Sequence, residues 1–288
     1  MAKIADLLAA GPTRSFEFFP PKTLEMAVQL DEAVADLAGL GPSYISVTYG
    51  ALGTTRAPTR DVVIRFNQDH GFPAMPHLTC VGQSKAELRE LLEQYRDAGI
   101  ENVLALAGDP PADGSEVDGD FTYARELIEL VRDVGDFSIG VAAFPELHPR
   151  SSDRITDRKY LAEKLGEADF AITQFFFDAA EYRQLCDEMA ELGSTTPIIP
   201  GVMPFVSVAG TRRMSATNGV RIPDALQSRL DEVDGDAEAT RRLGVAVASE
   251  LSAALLEGGV PGLHLYAMNR PTSIREVYAN LGWAGSGS

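Results

Sequence analysis

Short apolar runs that alternate with amphipathic helical stretches constrain the fold of this chain more than any other feature of its sequence. Several runs are almost continuously apolar, which is typical of parallel strands that are covered on both faces. About eight such runs follow one another, and a helical stretch comes after most of them. The predicted strands are SFEFFP (15–20), YISVTYG (44–50), AMPHLTC (74–80), NVLALAGD (102–109), SIGVAAFP (138–145), FAITQFFF (170–177), PIIPGVMP (197–204) and GLHLYAMN (262–269).

The stretches between these runs have the periodicity of helices with one buried face. In KAELRELLEQYRDAG (85–99), apolar residues recur at i, i+3, i+4 and i+7, charged residues fill the opposite face, and a glycine predicts the helix end. The apolar positions are Leu88, Leu91, Leu92 and Tyr95. Residues 123–135 and 179–193 repeat this plan, and residues 236–259 predict one long helix that ends at glycines.

A strand followed by a helix, repeated about eight times, predicts a (β/α)8 barrel of the TIM type, in the α/β class. We expect residues 1–288 to form a single domain, with its core at about 14–282 and a flexible tail at 283–288. A doubly wound open sheet is the alternative. Against it, no GxGxxG motif follows the first strand, and the glycines of GALGTT (50–55) have the wrong spacing for dinucleotide binding.

The composition excludes several classes of partner. A formal net charge of −17 repels the phosphates of nucleic acids and of anionic lipids, so neither is an expected partner. No run reaches the ~18 apolar residues of a membrane helix, and the first residues lack the pattern of a signal peptide. We therefore expect a cytoplasmic protein. Cys80 and Cys186, which are far apart and lack CxxC spacing, predict reduced thiols rather than a disulfide or a zinc site.

Two acidic residues lie where the strands of a barrel would end. Glu17 interrupts an aromatic run, and it is either a solvated charge or points into the barrel mouth, where burial would raise its pKa and make it a usable acid. Asp109 precedes two prolines and is either a turn residue or, with Gly108, part of a surface that a flat ligand approaches. The loop 109–121 follows a strand, which in a barrel places it on the active-site face.

Four other polar residues have both a structural and a functional interpretation. His77 lies in a strand and is a core histidine or a catalyst, whereas His148 lies in the loop after the fifth strand, where it can face a ligand. Gln174 interrupts an apolar strand, so its amide either makes a structural hydrogen bond or binds the edge of a heterocycle. Arg270 at the end of the last strand is a surface cation or binds a carboxylate.

Motifs of several other enzyme classes are missing from the sequence. There is no HExxH, no Walker loop, no GxSxG and no His/Cys cluster, which removes zinc hydrolases, P-loop proteins and α/β-hydrolases, and no metal is expected. The residues alone therefore predict a barrel enzyme with a mostly polar mouth.

Several motifs, taken in order, resemble the methylenetetrahydrofolate reductase family in its compact bacterial form. They extend over roughly residues 14–282, which is nearly the whole chain. The motifs are SFEFFPPK, SVTYGA, PHLTC, the GDPP turn, VAAFPELHP, AITQFFFD, IIPGVMP, VRIP and the terminal MNR.

The resemblance implies reduction of 5,10-methylenetetrahydrofolate to 5-methyltetrahydrofolate, with NADH or NADPH as co-substrate and bound FAD relaying the hydride. It implies that Glu17 gives a proton to the folate N10 and that Asp109 stabilises the iminium cation. It also implies that Gln174 and Arg270 contact the folate. The positions that match flavin-lining residues of the family are Thr48, His77, Gly108, Asp109, Tyr123, Ala124, Ala142, His148, Asp157 and Lys164.

This sequence departs from the family pattern at three places. Ala107 replaces the arginine of an RGD turn, which removes charge-assisted bonds to the flavin. Gly210 and Met214 stand where the family has a folate-contacting glutamine and a nearby phenylalanine, and Phe144 replaces a tyrosine. The loss of the arginine guanidinium is expected to weaken FAD binding. Because most of the other flavin-lining positions persist, bound FAD remains the preferred expectation, and direct hydride transfer from NADH to the folate is the alternative.

Two further classes remain open at this point. A folate-binding or regulatory paralogue without turnover would not need Glu17, and an unrelated phosphate-binding barrel such as an aldolase would need a glycine-rich phosphate loop, which the chain resembles poorly. The expected partners are small molecules, namely a folate and a nicotinamide dinucleotide. A homo-oligomer is compatible with the sequence, which does not fix the oligomeric state.

Overall fold

The strands form one parallel sheet in the computed structural model, which describes residues 1–49, 56–108 and 118–283. Each predicted strand is present. The first keeps its length but begins and ends two residues earlier, the others are shorter, and the seventh consists of two short segments on either side of Pro200. The strand segments are β1 (Thr13–Phe18), β2 (Tyr44–Val47), β3 (Ala74–Thr79), β4 (Asn102–Leu106), β5 (Ser138–Ala143), β6 (Phe170–Thr173), β7 (Ile198–Ile199), β8 (Gly201–Val202) and β9 (Gly262–Tyr266).

The interrupted seventh strand closes the sheet into a barrel. The strand order is β7-β6-β5-β4-β3-β2-β1-β9-β8. β7 pairs with β6, and β8 pairs with β9. Because only Pro200 separates β7 from β8, the two edges of the sheet belong to one stretch of chain and the ring closes. The predicted (β/α)8 TIM-type barrel is confirmed, in a single domain, and the open sheet is wrong.

Helices surround the barrel, and the four that were read from periodicity lie within two residues of their predicted ends. The helices are α1 (Ile4–Ala10), α2 (Leu24–Ala38), α3 (Arg56–Asp69), α4 (Lys85–Asp97), α5 (Ala124–Val134), α6 (Arg154–Leu165), α7 (Ala179–Glu191), α8 (Val208–Asn218), α9 (Asp224–Val233), α10 (Ala237–Glu257) and α11 (Pro271–Asn280). α4 buries the four predicted apolar side chains and begins with a capping box between Ser84 and Glu87. No helix within the described ranges is both long enough and apolar enough to cross a membrane.

Alternation along the strands separates the barrel interior from the layer beneath the helices. On β1, Phe16 and Phe18 belong to the large apolar cluster under the helices. A second buried cluster fills the lower interior and contains Ile4, Tyr44, Met75, Leu104, Phe170, Ile172 and Ile199. The interior face of β1 instead carries polar side chains, which places Ser15 and Glu17 inside the barrel.

α1 covers the N-terminal end of the barrel. The Ile4 side chain is fully buried in the interior cluster, and its amide donates to Asn102 Oδ1 over 2.7 Å. The amide of Ala5 donates to Ser138 Oγ over 3.2 Å, at the start of β5. The C-terminal ends of the strands therefore form the open mouth. Trp283, which the sequence places in the tail, packs its ring 5.1 Å from Tyr278, and residues 284–288 lie outside the described part of the chain.

Candidate active site

Glu17 points into the barrel near its mouth, as one of the two interpretations of the sequence predicted. Glu17 is only 8% exposed to solvent. Its Oε2 lies 3.2 Å from His264 Nε2, on the neighbouring strand β9, and 3.3 Å from His77 Nε2, on β3. One carboxylate and two imidazoles from three strands therefore meet inside the barrel.

The pKa of Glu17 is set by two opposing effects. Burial acts to raise it, but the positive charge of a protonated His77 and the hydrogen bond from His264 outweigh burial and lower the pKa to about 2. The expectation of a raised pKa is therefore wrong in its net direction, because the sequence does not show which groups lie across the barrel. A carboxyl group of this acidity is ionised at neutral pH, so an acid role requires a proton from its neighbours.

His264 is a site residue that the sequence analysis missed. Its side chain is fully buried, and its Nδ1 lies 2.8 Å from Ser15 Oγ. The register of the two strands places Ser15 opposite His264 and Glu17 opposite Tyr266. Alternation along GLHLYAMN was the available signal, because it places His264 and Tyr266 on the same interior face.

Gln174 follows β6, and a partner from α8 holds its amide. Gln174 Nε2 donates to Asn218 Oδ1 over 3.0 Å, and Gln174 Oε1 accepts the amide of Phe175 over 3.0 Å. Asn218 in turn donates to the carbonyl of Met214 over 2.9 Å. These bonds fix which end of the amide is the oxygen and leave one donor and one acceptor site on Gln174 for another group.

Arg270 lies at the rim of the mouth, in the turn after β9. The residues before it, Met268 and Asn269, have positive φ angles of 49° and 57°, which non-glycine residues rarely adopt. The Asn269 side chain accepts from the amide of Phe19 over 2.9 Å and donates to its carbonyl over 3.0 Å. This turn therefore ties the ends of β1 and β9 together and leaves Arg270 exposed.

The loop between β5 and α6 rests on a buried arginine. Arg158 is 3% exposed and donates to Asp157 and Glu188, and also to the carbonyls of Phe144, Pro145 and Glu146. Asp157 also accepts from Ser151 over 2.6 Å. Both carboxylate oxygens of Asp157 thus help to hold this loop, and each can still accept a further hydrogen bond.

His148 and Lys164 lie on the same side of the barrel. The His148 ring contacts the Phe144 ring at 4.5 Å between centroids, so the phenylalanine that replaces the family tyrosine packs against it. Lys164 Nζ donates to the carbonyl of Ala142 over 2.6 Å. Burial lowers the pKa of Lys164 to about 8, although the charge of Asp157 opposes this. Lys164 keeps two further N–H donors for a ligand.

Gly108, at the end of β4, requires its glycine. Its φ is +91°, and a Cβ there would lie 3.0 Å from Thr79 Cβ. Thr48, at the end of β2, is half-buried and donates its amide to the Phe18 carbonyl over 2.9 Å. Tyr123 is 69% exposed and lies at the start of α5, directly before Ala124. Their roles as flavin-lining residues stay predictions.

Three further positions from the sequence analysis are Asp109, Ala107 and Gly210. Asp109, predicted as a catalytic residue, lies outside the described residues. The Ala107 carbonyl accepts the amide of Val81 over 2.9 Å. Gly210 lies in the first turn of α8 and donates to Ser207 Oγ over 3.1 Å. Within the described ranges, no three His, Cys, Asp or Glu side chains are grouped to hold a metal ion.

Residues 3–282 match the family model of methylenetetrahydrofolate reductase. The chain is 36% identical to the 5,10-methylenetetrahydrofolate reductase of Escherichia coli (strain K12) over 270 residues, which cover 93% of this chain and 90% of that protein. It is 36% identical to the enzyme of the same name from Pectobacterium carotovorum subsp. carotovorum, over 89% of this chain and 85% of that protein. The methylenetetrahydrofolate reductase (NADH) 1 of Arabidopsis thaliana is 34% identical over 97% of this chain, which covers 50% of the plant protein.

Solved structures share the fold at low sequence identity. A protein from Clostridium thermocellum, described as binding two copies of 5-methyl-5,6,7,8-tetrahydrofolic acid, has a TM-score of 0.64 at 16% identity, with 96% of each chain covered. A tryptophan synthase alpha-subunit from Pyrococcus furiosus has a TM-score of 0.54 at 11% identity, over 94% of this chain and 98% of that one. Both similarities support the barrel fold alone.

Proposed function

Because the chain belongs to the methylenetetrahydrofolate reductase family, and is thus an oxidoreductase, we propose that it reduces 5,10-methylenetetrahydrofolate to 5-methyltetrahydrofolate with Glu17 as the general acid. The reductant is a reduced nicotinamide, and the name of the plant relative favours NADH. The observation that carries the proposal is the buried Glu17 at the barrel mouth, with His264 and His77 on its Oε2.

The reaction requires a proton at a defined atom. The bond between the methylene carbon and N10 breaks with its electron pair going to N10, and the carbon that remains on N5 becomes an iminium cation. A proton on N10 makes that nitrogen a better leaving group, and a hydride then converts the cation into a methyl group. We propose that Glu17 delivers this proton once it has received one, and the position of Glu17 near the open mouth supports this, because barrel enzymes bind substrates at that face.

Two polar groups that follow barrel strands fit the two ends of a folate. The Gln174 amide, held by Asn218, offers a donor and an acceptor for the edge of a pterin ring. The exposed guanidinium of Arg270 at the rim suits the carboxylates of the glutamate moiety. Asp109 is proposed to stabilise the cation, as the family resemblance implies.

FAD is the proposed relay, and the residues at the mouth fit such a group. Thr79 Oγ1 is buried beside Gly108 and has no hydrogen-bond partner among the described residues, and Lys164 has two free donors. When bound, FAD would accept the hydride of the nicotinamide and pass it to the folate. The residues proposed to hold it are Thr48, His77, Gly108, Asp109, Tyr123, Ala124, Ala142, His148, Asp157 and Lys164.

The absorption spectrum of the purified protein tests the cofactor proposal. We expect bands near roughly 380 and 450 nm, the signature of a protein-bound flavin. Because Ala107 leaves the turn without a guanidinium, we expect part of the flavin to be lost on dilution. A colourless protein that reduces the folate at full rate would instead establish direct transfer from NADH.

A turnover assay with Glu17→Gln tests the acid. Wild-type protein should oxidise NADH only when methylenetetrahydrofolate is present, and Glu17→Gln should reduce the rate about 100-fold or more, since glutamine has no proton to give. Glu25→Gln, which removes an exposed carboxylate from α2, is the matched control and should leave the rate unchanged. A wild-type protein that binds the folate without turnover would make the chain a binding paralogue.

A further inference from the structure

The proposed reaction consumes one proton in each turnover at a residue that has little contact with water. Glu17 is 8% exposed even without substrate, and a pterin over the mouth would cover it further. Its own carboxyl group is ionised at neutral pH, as described above. The proton must therefore be held on a neighbouring group before the substrate binds.

Ser15 determines which nitrogen of His264 carries a hydrogen. The Ser15 hydroxyl lies 3.4 Å from the carbonyl oxygen of Leu263, which can only accept, so Ser15 donates to it. With the Ser15 hydrogen directed at Leu263, the lone pairs of Ser15 Oγ face His264 Nδ1 at 2.8 Å, and we assign Nδ1 as the donor of that bond.

A protonated Nδ1 has a consequence at the other ring nitrogen. His264 Nε2 lies 3.2 Å from Glu17 Oε2. If Nε2 and the carboxylate were both unprotonated, two acceptors would face each other in a buried site, which is unfavourable. The contact is satisfied only when one proton lies between them, on Nε2 or on Oε2.

We propose that His264 and Glu17 store the reaction's proton between Nε2 and Oε2, with Ser15 holding His264 in the required tautomer, so that His264 is a positioning residue that acts through Glu17. This inference rests on the proposed function. His77 Nε2 lies 3.3 Å from the same oxygen and helps to lower the pKa of Glu17, but Ser15 orients the ring of His264 and not that of His77.

The proton transfer balances as follows. The O–H bond of Glu17 breaks as the N10–H bond forms, and the electrons of the bond between the methylene carbon and N10 go to N10. Before this step the proton moves from His264 Nε2 to Glu17 Oε2, which leaves the imidazole neutral with its hydrogen on Nδ1. Reduced nicotinamide supplies the hydride, and water supplies a new proton to the pair after the product leaves.

Few titratable groups face this pair within the described part of the chain. They are His77 on β3, Tyr44 on β2 and Tyr266 on β9, in addition to His264 itself. Burial raises the pKa of both tyrosines, so they remain neutral over the working range. A change in the pH profile near neutrality therefore does not come from these tyrosines.

Nitrogen-15 NMR of histidine-labelled protein tests the shared proton without any substrate. The chain has only 4 histidines, so His264→Gln and His77→Gln assign the site signals by difference. We expect a protonated Nδ1 on His264 and an Nε2 whose signal changes in Glu17→Gln. An unprotonated Nδ1, or a His264 spectrum that is the same in Glu17→Gln, would overturn the proposal whether or not the enzyme turns over.

The pH profile of folate reduction provides the functional test. His264→Gln should slow this step at neutral pH by about tenfold or more. It should also move the alkaline limb to lower pH by about one unit or more, because an unperturbed carboxyl loses its proton about two units below an imidazole. Ser15→Ala should shift the limb in the same direction by a smaller amount.

His70→Gln is the matched control, because it removes an imidazole at the end of α3, where the ring packs between Phe66 and Phe72. Its rate and profile should equal those of the wild type. If Glu17→Gln is inactive while His264→Gln keeps the wild-type profile, the proton store is wrong and the proposed function stands. If the wild type makes no methyltetrahydrofolate, the proposed function fails, and the NMR result alone decides on the pair.

Discussion

The acidity of Glu17 depends on its neighbours more than on its burial. A buried carboxyl group alone would hold its proton up to a higher pH, but His77 and His264 approach the same oxygen from two other strands. The carboxylate is therefore stabilised inside an otherwise uncharged interior. The contact with His264, which helps to hold it ionised, is also the proposed source of its proton.

This pairing should make part of the stability depend on pH. The pKa of Glu17 falls from 4.5 to about 2 on folding, so its contribution is complete above about pH 4.5 and is lost as the pH falls toward 2. Relative to Glu17→Gln, the wild type should lose unfolding free energy on the order of 3 kcal/mol over this range. Urea unfolding of both proteins at several pH values measures the difference.

An equal pH dependence in wild type and Glu17→Gln would contradict the lowered pKa. Glu25→Gln should follow the wild type, because that carboxylate is exposed on α2. The difference between the wild type and Glu17→Gln removes the contribution of the other acidic residues, which protonate in the same pH range.

Asn218 should matter to the folate through Gln174. Asn218→Ala removes the acceptor of Gln174 Nε2 and frees the amide to rotate, so we expect the KM for the folate to rise about fivefold to tenfold with little change in kcat. Asn218→Asp keeps an oxygen at that position and should have a smaller effect. Steady-state kinetics of the two variants decides, and equal KM values for wild type and Asn218→Ala would refute this role.

The residues differ in how far the sequence could identify them. Glu17 and Gln174 interrupt apolar strands, so one chain segment was enough to predict that each is special. Ser15, His264 and Asn218 were missed because their roles depend on strand register and on a helix that lies 44 residues beyond Gln174 in the chain. The sign of the Glu17 pKa shift was missed for the same reason.

The seventh strand is the element that closes the barrel, and its local sequence explains why it is interrupted. Pro200 interrupts it because proline has no N–H to give, yet the Pro200 carbonyl still accepts the amide of His264 over 3.0 Å. Gly201 then donates to Thr173 Oγ1 over 2.8 Å. The run PIIPGVMP predicted a strand here, but only the pairing shows that its two halves serve opposite edges of the sheet.

Gly201→Ala should destabilise the barrel. A Cβ at this position would lie 2.5 Å from the Thr173 carbonyl oxygen and 2.7 Å from the Tyr266 ring, so the backbone must move. We expect the free energy of unfolding to fall by about 1–3 kcal/mol, as for other overpacked sites. Urea unfolding measures it.

Gly39→Ala is the matched control for this substitution. Its Cβ would lie 3.7 Å from the Asp36 carbonyl oxygen, which is an ordinary contact. Its stability should stay within about 0.5 kcal/mol of the wild type. If Gly201→Ala is as stable as Gly39→Ala, the close approach between the seventh strand and its neighbours is not a constraint.

The whole molecule is a barrel that is closed at one end and open at the other. α1 fills the N-terminal end with Ile4, so the opposite end, toward which Glu17 lies, is the open one. The sequence predicted the barrel and the mouth from eight alternating units, because strand and helix periodicities are local. It did not predict α1 as the cover of the barrel, because that role depends on contacts with β4 and β5.

The net charge of −17 does not prevent the binding of an anionic folate or dinucleotide. Salt limits the range of surface charges to roughly 8 Å at physiological ionic strength, so the groups at the mouth dominate there. Lys164 and Arg270 supply local positive charge on this face. The acidic surface instead favours solubility and disfavours nucleic acids.

The most direct test of this account is the amount of 5-methyltetrahydrofolate formed for each NADH oxidised, measured side by side for wild type and Glu17→Gln. The account predicts about one product per NADH for the wild type. It predicts that Glu17→Gln forms almost no 5-methyltetrahydrofolate in the same time, although that variant should still bind the folate. Wild-type turnover in Glu17→Gln, or NADH oxidation by the wild type without methyltetrahydrofolate, would contradict it.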